Sequence, residues 1–580
     1  MPWRGGVVSA RDANSDVKKM SRGAWAEPGT SLGYRTGSWR EERPVHVHAA
    51  APCHVACPAG EDPQAWIAGM QNGDDHGAWC ELVRVNPMPA ITGRVCPHPC
   101  ESRCNRGHYD ESIGIHNLER HLGDAALAAG WEYPGIAVLA ADAPRVAIVG
   151  AGPAGIAAAY HLRRRGLAAV IFDALPEAGG LMRSAIPMTR LPRAVLDAEL
   201  ERILALGIEL RTRQTLGRHI SLDELAQDHA AVFLAPGCQR SRPWDVQGVV
   251  PAACRDGLDL LKEWIDVGEV PAARRVVVHG GGNTAMDIAR VMKRHGAEEV
   301  HLVTASGLPG PETAADDVLN VVPRELVEGI EEGIVLHPHA TLQRLLLRGS
   351  RVVGVEMVSL RKLARADGRK ARVAFEGTER ILQADMVIPC IGEQVDPAGL
   401  GALVDASGFL RVNERGSFAG NERVFAGGDA RGDRGTVAAA IGDGRRAARE
   451  IHQLLDGSAP VARSPRRELP FAELNLAYFE SAPARRASSL AVSERSDHAE
   501  IESGLDASAA RHEAARCFSC GNCLACDNCW NLCPDNAVIK TARVAGDGSH
   551  YVFDYDYCKG CGLCARECPA GFIAMVEEPL

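Results

Sequence analysis

No apolar run in this 580-residue chain approaches the roughly 20 residues needed to cross a bilayer, so a membrane-spanning helix is not expected. Basic residues are not in excess. There are 64 Lys and Arg against 74 Asp and Glu, a net charge of -10, which lacks the electrostatic footprint of a nucleic-acid binder. No Ser-His-Asp or zinc-hydrolase signature is present, which removes the common hydrolase classes. A secretory signal is also missing, and the sequence therefore predicts a cytoplasmic protein whose cysteines serve something other than disulfides. What the chain does have is length for three or four domains, an ordinary 46% hydrophobic content, 60 glycines and 19 cysteines.

The cysteines are the most specific signal. Ten of them fall in the last 64 residues, and eight form two runs of spacing C-x2-C-x2-C-x3-C-P: Cys523, Cys526, Cys529, Cys533 and Cys558, Cys561, Cys564, Cys568. That is the pattern of a two-cluster ferredoxin, in which three close thiolates hold one [4Fe-4S] cube and the fourth crosses to the other. One cube is thus expected on Cys523, Cys526, Cys529 and Cys568, the other on Cys558, Cys561, Cys564 and Cys533.

The glycines concentrate where backbone must approach phosphate. RVAIVGAGPAG runs from an apolar strand into Gly150, Gly152 and Gly155 and then a helix-forming stretch, with Pro153 and Ala154 at the turn. The next strand, AAVIFDA, ends in Asp173, placed for a ribose hydroxyl pair. Strand, turn, helix, strand and acid in register make this a dinucleotide site. A second copy, VVVHGGGNTAMD, carries Gly280, Gly281, Gly282, Asn283, Thr284, Ala285 and Asp287. Farther on, FAGGDA places Asp429 just after a short strand, and GTVAAAIGDG opens another helix, as needed to close over a flavin. The first fold is then completed by sequence beyond the second, inserted one.

With CPAG at Cys57, TGRVCPHPCESRCNR at Thr92 and GGLMRSAIPMTRLP at Gly179, these motifs resemble the small subunit of bacterial glutamate synthase and the amino-terminal half of dihydropyrimidine dehydrogenase, over about residues 53 to 455. The resemblance implies FAD on the first fold and NAD(P) on the second. It implies FAD contacts from Gly150, Gly152, Pro153, Ala154, Gly155, Asp173, Gly180, Leu181, Arg190, Gly237, Gly428, Asp429, Thr436 and Ala438. It also implies an amino-terminal helical domain holding two [4Fe-4S] clusters, one of them on Cys57, Cys96, Cys100 and Glu119. The other retains Cys53 and Cys104 but lacks a pair, whose positions here hold Val45 and His48. Cys517 and Cys520 sit in the setting EAARCFSCG, similar to that of the lost pair, so the pair reads as moved to the other end of the chain. Two free surface thiols are the alternative for Cys517 and Cys520, and His46, His48 or His98 are alternative ligands. Cys80, Cys238, Cys254 and Cys390 read as buried core thiols.

The segment TGSWREERPV, with Trp39, Arg40, Arg43 and Pro44, resembles the arm that precedes the ferredoxin domain in the small subunit of 2-oxoacid:ferredoxin oxidoreductases. That resemblance implies partner subunits carrying thiamine diphosphate, with soluble ferredoxin as another partner and the arm lying across the partner's surface. A plain tail is the alternative for the arm.

The expected fold class is multidomain α/β. An arm (1–48) precedes a helical [4Fe-4S] domain (49–140), two interleaved Rossmann-like nucleotide-binding domains (FAD 141–270 and 386–455, NAD(P) 271–385), a linker (456–516) and an α+β two-cluster ferredoxin domain (517–580). The expected activity is FAD-dependent electron transfer between four [4Fe-4S] clusters and NAD(P), most simply as the NAD(P)-linked subunit of a 2-oxoacid oxidoreductase. The alternatives are a free-standing NAD(P)H:ferredoxin oxidoreductase, a glutamate-synthase-type reductase subunit, and a redox-sensing scaffold. The end of the second fold's second strand reads Val303, Thr304, Ala305, Ser306, with neither an arginine for a 2'-phosphate nor a ribose-binding acid, which favours NAD; the alternative is an approach by Arg240 or Arg242 from the APGCQRSR loop.

Overall fold

The computed structural model describes residues 33, 35–247, 254–311, 313–314, 316–364, 370–432, 435–458, 466–544 and 548–578. Residues 1–32 and Tyr34 of the expected arm, and 459–465 of the expected linker, lie outside them. Among the described residues no helix is long and apolar enough to cross a membrane.

Short helices make up the first cluster domain, and proline starts four of them: Pro52–Ala56, Pro63–Gln71, Pro89–Val95 and Pro99–Ser102. Proline is suited to the first turn because its fixed φ is already helical and the N–H it lacks would have no partner there. The helices Pro89–Val95 and Ile115–Ala129 cross backbone to backbone, and a Cβ on Gly93 would collide with Arg120, one on Gly123 with Ala90. This close crossing sets Cys96, at the end of the first helix, against Glu119 on the second.

The first nucleotide fold is a six-stranded sheet in the order Ser417–Phe418, Asn421–Ala426, Ala231–Leu234, Arg145–Val149, Ala168–Phe172, Glu209–Arg211. All neighbours are parallel except the first pair. Its central strands are apolar on both faces because both are covered, one by helices Pro153–Arg163 and Val437–Asp456, the other by helix Leu222–Asp228 and the segment 395–412. Strand Ala231–Leu234 finds its outer neighbour only at 421–426, so the second fold is an insertion. That second fold is a parallel sheet in the order Met386–Pro389, Arg275–His279, Glu299–Val303, Ile334–His337. An antiparallel meander follows: Ala340–Arg348, Arg351–Ala364, Lys370–Ala374 and Arg380–Gln383.

The expected boundaries at 271 and 385 are corrected here. Helix Gly257–Val267 buries Leu260, Leu261 and Trp264 in the second fold's core, and strand Met386–Pro389 pairs inside its sheet. Residues 466–516 are more than a linker. They form a strap, and its helix Ala507–Ala515 docks on Pro63–Gln71 and Ile115–Ala129 of the cluster domain. Along the strap Asp497 holds Arg294 at 2.8 Å and His295 at 2.7 Å, Glu500 holds Arg94 at 2.8 Å, and the Ile501 N–H donates to Thr189 O at 3.1 Å. Arg324 of the second fold pairs with Glu502.

The arm is also corrected. Strand Glu42–His46 pairs antiparallel with Ile573–Glu577, so it completes the ferredoxin domain. Arg40 donates to Glu578 at 2.6 Å and, like Arg43, lies over the Tyr555 ring, while Pro44 O accepts from the Tyr555 hydroxyl at 2.8 Å. Of the four arm residues expected to face a partner, only Trp39 is free to do so, at 71% exposure. Among the four leftover cysteines Cys238 is buried, whereas Cys80, Cys254 and Cys390 are partly exposed, Cys390 packing against the second fold's core beside Gly257 and Gly280.

Candidate functional site

A cavity of about 630 Å³ opens at the carboxyl ends of the first fold's strands and runs to the second fold, within the size range of small-ligand sites. Twelve of the fourteen residues expected at FAD line it: Gly150, Gly152, Pro153, Ala154, Asp173, Gly180, Leu181, Arg190, Gly237, Gly428, Asp429 and Thr436. Gly155 and Ala438 lie behind the wall. The glycines divide by role. A Cβ on Gly150 would collide with Ala235 O and one on Gly155 with Gly150 O, so both are demanded by the chain's own packing. A Cβ on Gly152 would meet nothing within 4 Å, so that space belongs to a ligand at the helix N-terminus, which suits a pyrophosphate.

Asp173 accepts from the Ala151 N–H at 2.5 Å and the Leu175 N–H at 2.7 Å, which fixes its carboxylate at the cavity wall. Burial raises its pKa against those two bonds. Asp429 is pushed up to about 6 by burial, with Glu393 and Asp443 adding to the effect. Asp443 accepts from the Gly428 N–H at 3.0 Å and so shapes the turn that presents Asp429. Cys238 donates to Asp429 O at 3.2 Å, and burial pushes its thiol up to about 12, which leaves it inert.

The second fold repeats the glycine logic. Gly280 and Gly281 are packed against Cys390 O and the Thr304 hydroxyl, while a Cβ on Gly282 would meet nothing within 4 Å. Asn283, Thr284 and Asp287 reach the shared cavity; Gly280, Gly281, Gly282 and Ala285 line the turn behind it. Two expected residues meet each other. The Arg190 guanidinium donates to both oxygens of Asp287, at 2.9 and 2.8 Å, and joins the two folds at the cavity floor. Glu393 was not anticipated: it lines the cavity, accepts from the Thr284 hydroxyl at 3.2 Å, and is raised by burial. Its only signal in sequence is its place just beyond the parallel strand Met386–Pro389, where ligands of such sheets bind. Val95 and Pro97, flanking Cys96, also line the cavity and bring the cluster domain to its edge.

The cysteines gather in four groups. Burial pushes the Cys57, Cys96 and Cys100 thiols up, and Glu119 acts on Cys57 and Cys96, while Cys57 and Cys96 act on Cys100. Glu119 is buried and raised by burial; its Oε1 accepts from Asn86 Nδ2 at 2.8 Å and from the Thr92 hydroxyl. Cys53 is raised by burial and then by Cys104, Cys517 and Cys520 in turn, so the carboxyl-terminal pair lies beside the amino-terminal remnant. Cys529 is pushed up to about 12 by burial, with Cys523, Cys526 and Cys568 contributing. Cys564 likewise rises to about 12 by burial, beside Cys558, Cys533 and Cys561. His46 instead packs between Phe553 and Phe572, His48 packs on Phe572, and the His98 ring bonds Thr92 O at 3.2 Å.

The donor sets fit [4Fe-4S] cubes better than single ions. Four sulfurs on one tetrahedral zinc, each at about 2.3 Å, would lie within about 3.8 Å of one another. Among the described residues the one group of three or more such ligands within 4.8 Å is His98, Glu101 and His116, so the cysteine sets are too open for that. Buried thiols that raise one another's pKa are relieved by a multi-iron core, which binds them as thiolates. Backbone N–H groups of Ser519, Ala537 and Phe572 point at Cys517, Cys533 and Cys568 at 3.4, 3.2 and 3.3 Å, a known lever on cluster potential.

A family model described as pyridine nucleotide-disulphide oxidoreductase matches residues 144–444. A model of dihydropyrimidine dehydrogenase domain II, 4Fe-4S cluster, matches 41–131, and a 4Fe-4S binding domain matches 551–574. The chain is 32% identical to the NADP(+)-dependent formate dehydrogenase subunit beta of Moorella thermoacetica, over 90% of this chain and 76% of that one. It is 34% identical to the NADPH-Fe(3+) oxidoreductase subunit beta of Geobacter sulfurreducens, over 84% and 78% respectively. With the glutamate synthase [NADPH] small chain of Escherichia coli it shares 31% identity, over 70% of this chain and 88% of that one.

Proposed function

The chain belongs to the pyridine nucleotide-disulphide oxidoreductase family and is an iron-sulfur flavoprotein subunit dependent on NAD(P); we propose that it carries electrons along four [4Fe-4S] clusters between NAD(P) and a partner. The observation that carries this reading is the meeting of Cys517 and Cys520 with Cys53 and Cys104. Cys53 and Cys57 lie one helical turn apart, about 6 Å of rise, and the Cys57 N–H bonds Cys53 O at 3.2 Å. Cys520 and Cys523 are three residues apart, at most about 11 Å between Cα atoms. Adjacent ligand sets are therefore joined by short stretches of chain from the cavity edge to the ferredoxin domain.

The residues divide the work. Gly152 and the helix after it would hold the FAD pyrophosphate, Asp173 the ribose hydroxyls, and Asp429 the opposite end of the cofactor. Gly282, Asn283 and Thr284 would hold the coenzyme. Arg190 and Asp287 keep the two folds in register so that nicotinamide and flavin meet in the same cavity. FAD, when bound, supplies the exchange between two-electron hydride transfer and single-electron transfer. Cys238 is the one thiol among the described residues of the lining, and the clusters are the route we read for the electrons.

For the partner we propose thiamine-diphosphate-dependent subunits of a 2-oxoacid oxidoreductase, on the likeness of the TGSWREERP arm and the ferredoxin runs. Soluble ferredoxin is a further partner. A second reading, with a different catalytic partner, is favoured by relatives named as subunits of formate dehydrogenase, Fe(3+) reductase and glutamate synthase. The test is native mass spectrometry of the anaerobically purified complex combined with NAD(P)H-dependent dye reduction. Co-purifying thiamine-diphosphate subunits and 2-oxoacid-dependent NAD(P) reduction are expected. A complex with formate dehydrogenase or glutamate synthase subunits instead would refute the 2-oxoacid reading.

A further inference from the structure

The sequence offers no guanidinium at the end of strand Glu299–Val303, where the adenosine ribose of a coenzyme lies in a fold of this kind. Tertiary structure brings one there. Arg372, on meander strand Lys370–Ala374, donates through Nη2 to the Ser306 hydroxyl at 3.3 Å and to Asp317 at 2.6 Å. Lys362 faces Arg372 across the antiparallel pair and sits 3.7 Å from Asp317 and 2.9 Å from Asp316. His339 Nδ1 lies 3.6 Å from the same Asp317. Backbone bonds hold the ring: the His339 N–H donates to Ser306 O at 3.1 Å, and the Gly307 N–H to Asp317 O at 2.8 Å. Arg240 and Arg242 of the APGCQRSR loop are engaged elsewhere, on Asp396 and the Phe409 ring.

We propose that Ser306 and Arg372 form the subsite for the 2'-phosphate of NADP(H), with Asp317 as the counter-ion that holds Arg372 in place when no coenzyme is bound. The inference rests on the reading that the second fold takes the nicotinamide coenzyme. A phosphate dianion and a carboxylate compete for one guanidinium, and the planar fork of arginine suits the phosphate. When Arg372 turns to it, Lys362 and His339 still face Asp317, so the exchange leaves no bare carboxylate. NAD presents a neutral hydroxyl there and gains nothing from the exchange. The preference drawn from the strand end alone, for NAD, is thereby reversed.

The full-length protein, purified anaerobically, is assayed for dye reduction with NADPH and NADH, and calorimetry compares 2',5'-ADP with 5'-AMP. The wild type is expected to favour NADPH and to bind 2',5'-ADP more tightly than 5'-AMP by about tenfold or more, as one charge-assisted contact allows. Arg372→Ala should cut the NADPH-to-NADH ratio of kcat/KM by about the same factor. Ser306→Ala should move the ratio less in the same direction, and Asp317→Asn should tighten 2',5'-ADP by removing a competitor. A wild type that favours NADH overturns the subsite, as does an Arg372→Ala protein whose ratio and 2',5'-ADP affinity are unchanged. If 2',5'-ADP binding depends on Arg372 while neither coenzyme is oxidised, the subsite stands and the proposed activity falls.

Discussion

Removing the carboxyl-terminal cysteine pair tests the electron route directly. Cys520 is buried and Cys517 partly buried beside Cys53 and Cys104, with Phe518 between them packed on Phe479 at 4.5 Å and on Tyr109 at 5.7 Å. In Cys517→Ala/Cys520→Ala that ring remains, so the local fold is retained while two of four sulfur donors go. A cube cannot be held by the two that remain, and about four of roughly sixteen irons should be lost, counted from four cubes of this type. The other three groups share no ligand with the deleted pair, so the ferredoxin signals should persist in the EPR spectrum. NAD(P)H-dependent dye reduction at the flavin should continue, whereas reduction of the ferredoxin cubes by NAD(P)H should slow, because the deleted set lies between them and the cavity. Iron analysis by mass spectrometry and EPR before and after NAD(P)H addition read these outcomes. A double variant that keeps all its iron would show that the two thiols are packing residues and that the route is wrong.

Glu119→Ala should shift the midpoint potential of one cluster and leave the other three, because a hard carboxylate is exchanged for water or for no ligand; an unchanged EPR-monitored redox titration would reduce Glu119 to a partner of Asn86 and Thr92. Gly152→Ala and Gly282→Ala each add a methyl that meets no protein atom within 4 Å, so thermal stability should hold while the first variant loses FAD and the second raises the coenzyme KM, each by about tenfold or more, equivalent to ~1.4 kcal/mol. Equal loss of both functions in both variants would count against two separate phosphate cradles. Trp39→Ala should weaken association with the catalytic partner without affecting dye reduction, since aromatic side chains are frequent interface anchors; unchanged co-purification would mean that the exposed indole is not part of the interface.

The chain's own spacing determined its cofactor chemistry. C-x2-C-x2-C-x3-C-P can be read from sequence because each ligand run is local, and the glycine turn at Gly150 can be read because strand, turn and helix follow one another without interruption. The glycine copy at Gly280 marked the insertion for the same reason. Boundaries were less legible: helix Gly257–Val267 and strand Met386–Pro389 carry no motif, and only burial against the second fold's core assigns them to it. The arm's Arg40, Arg43 and Pro44 look like partner contacts in sequence, yet the pairing of Glu42–His46 with Ile573–Glu577 turns them onto the chain's own ferredoxin domain. Glu393 at the cavity and Arg372 at Ser306 were beyond the sequence for one physical reason. Each acts on groups brought near it by sheet pairing across long stretches of chain, and a side chain's place in such a contact is set by the packed whole, not by its neighbours in sequence.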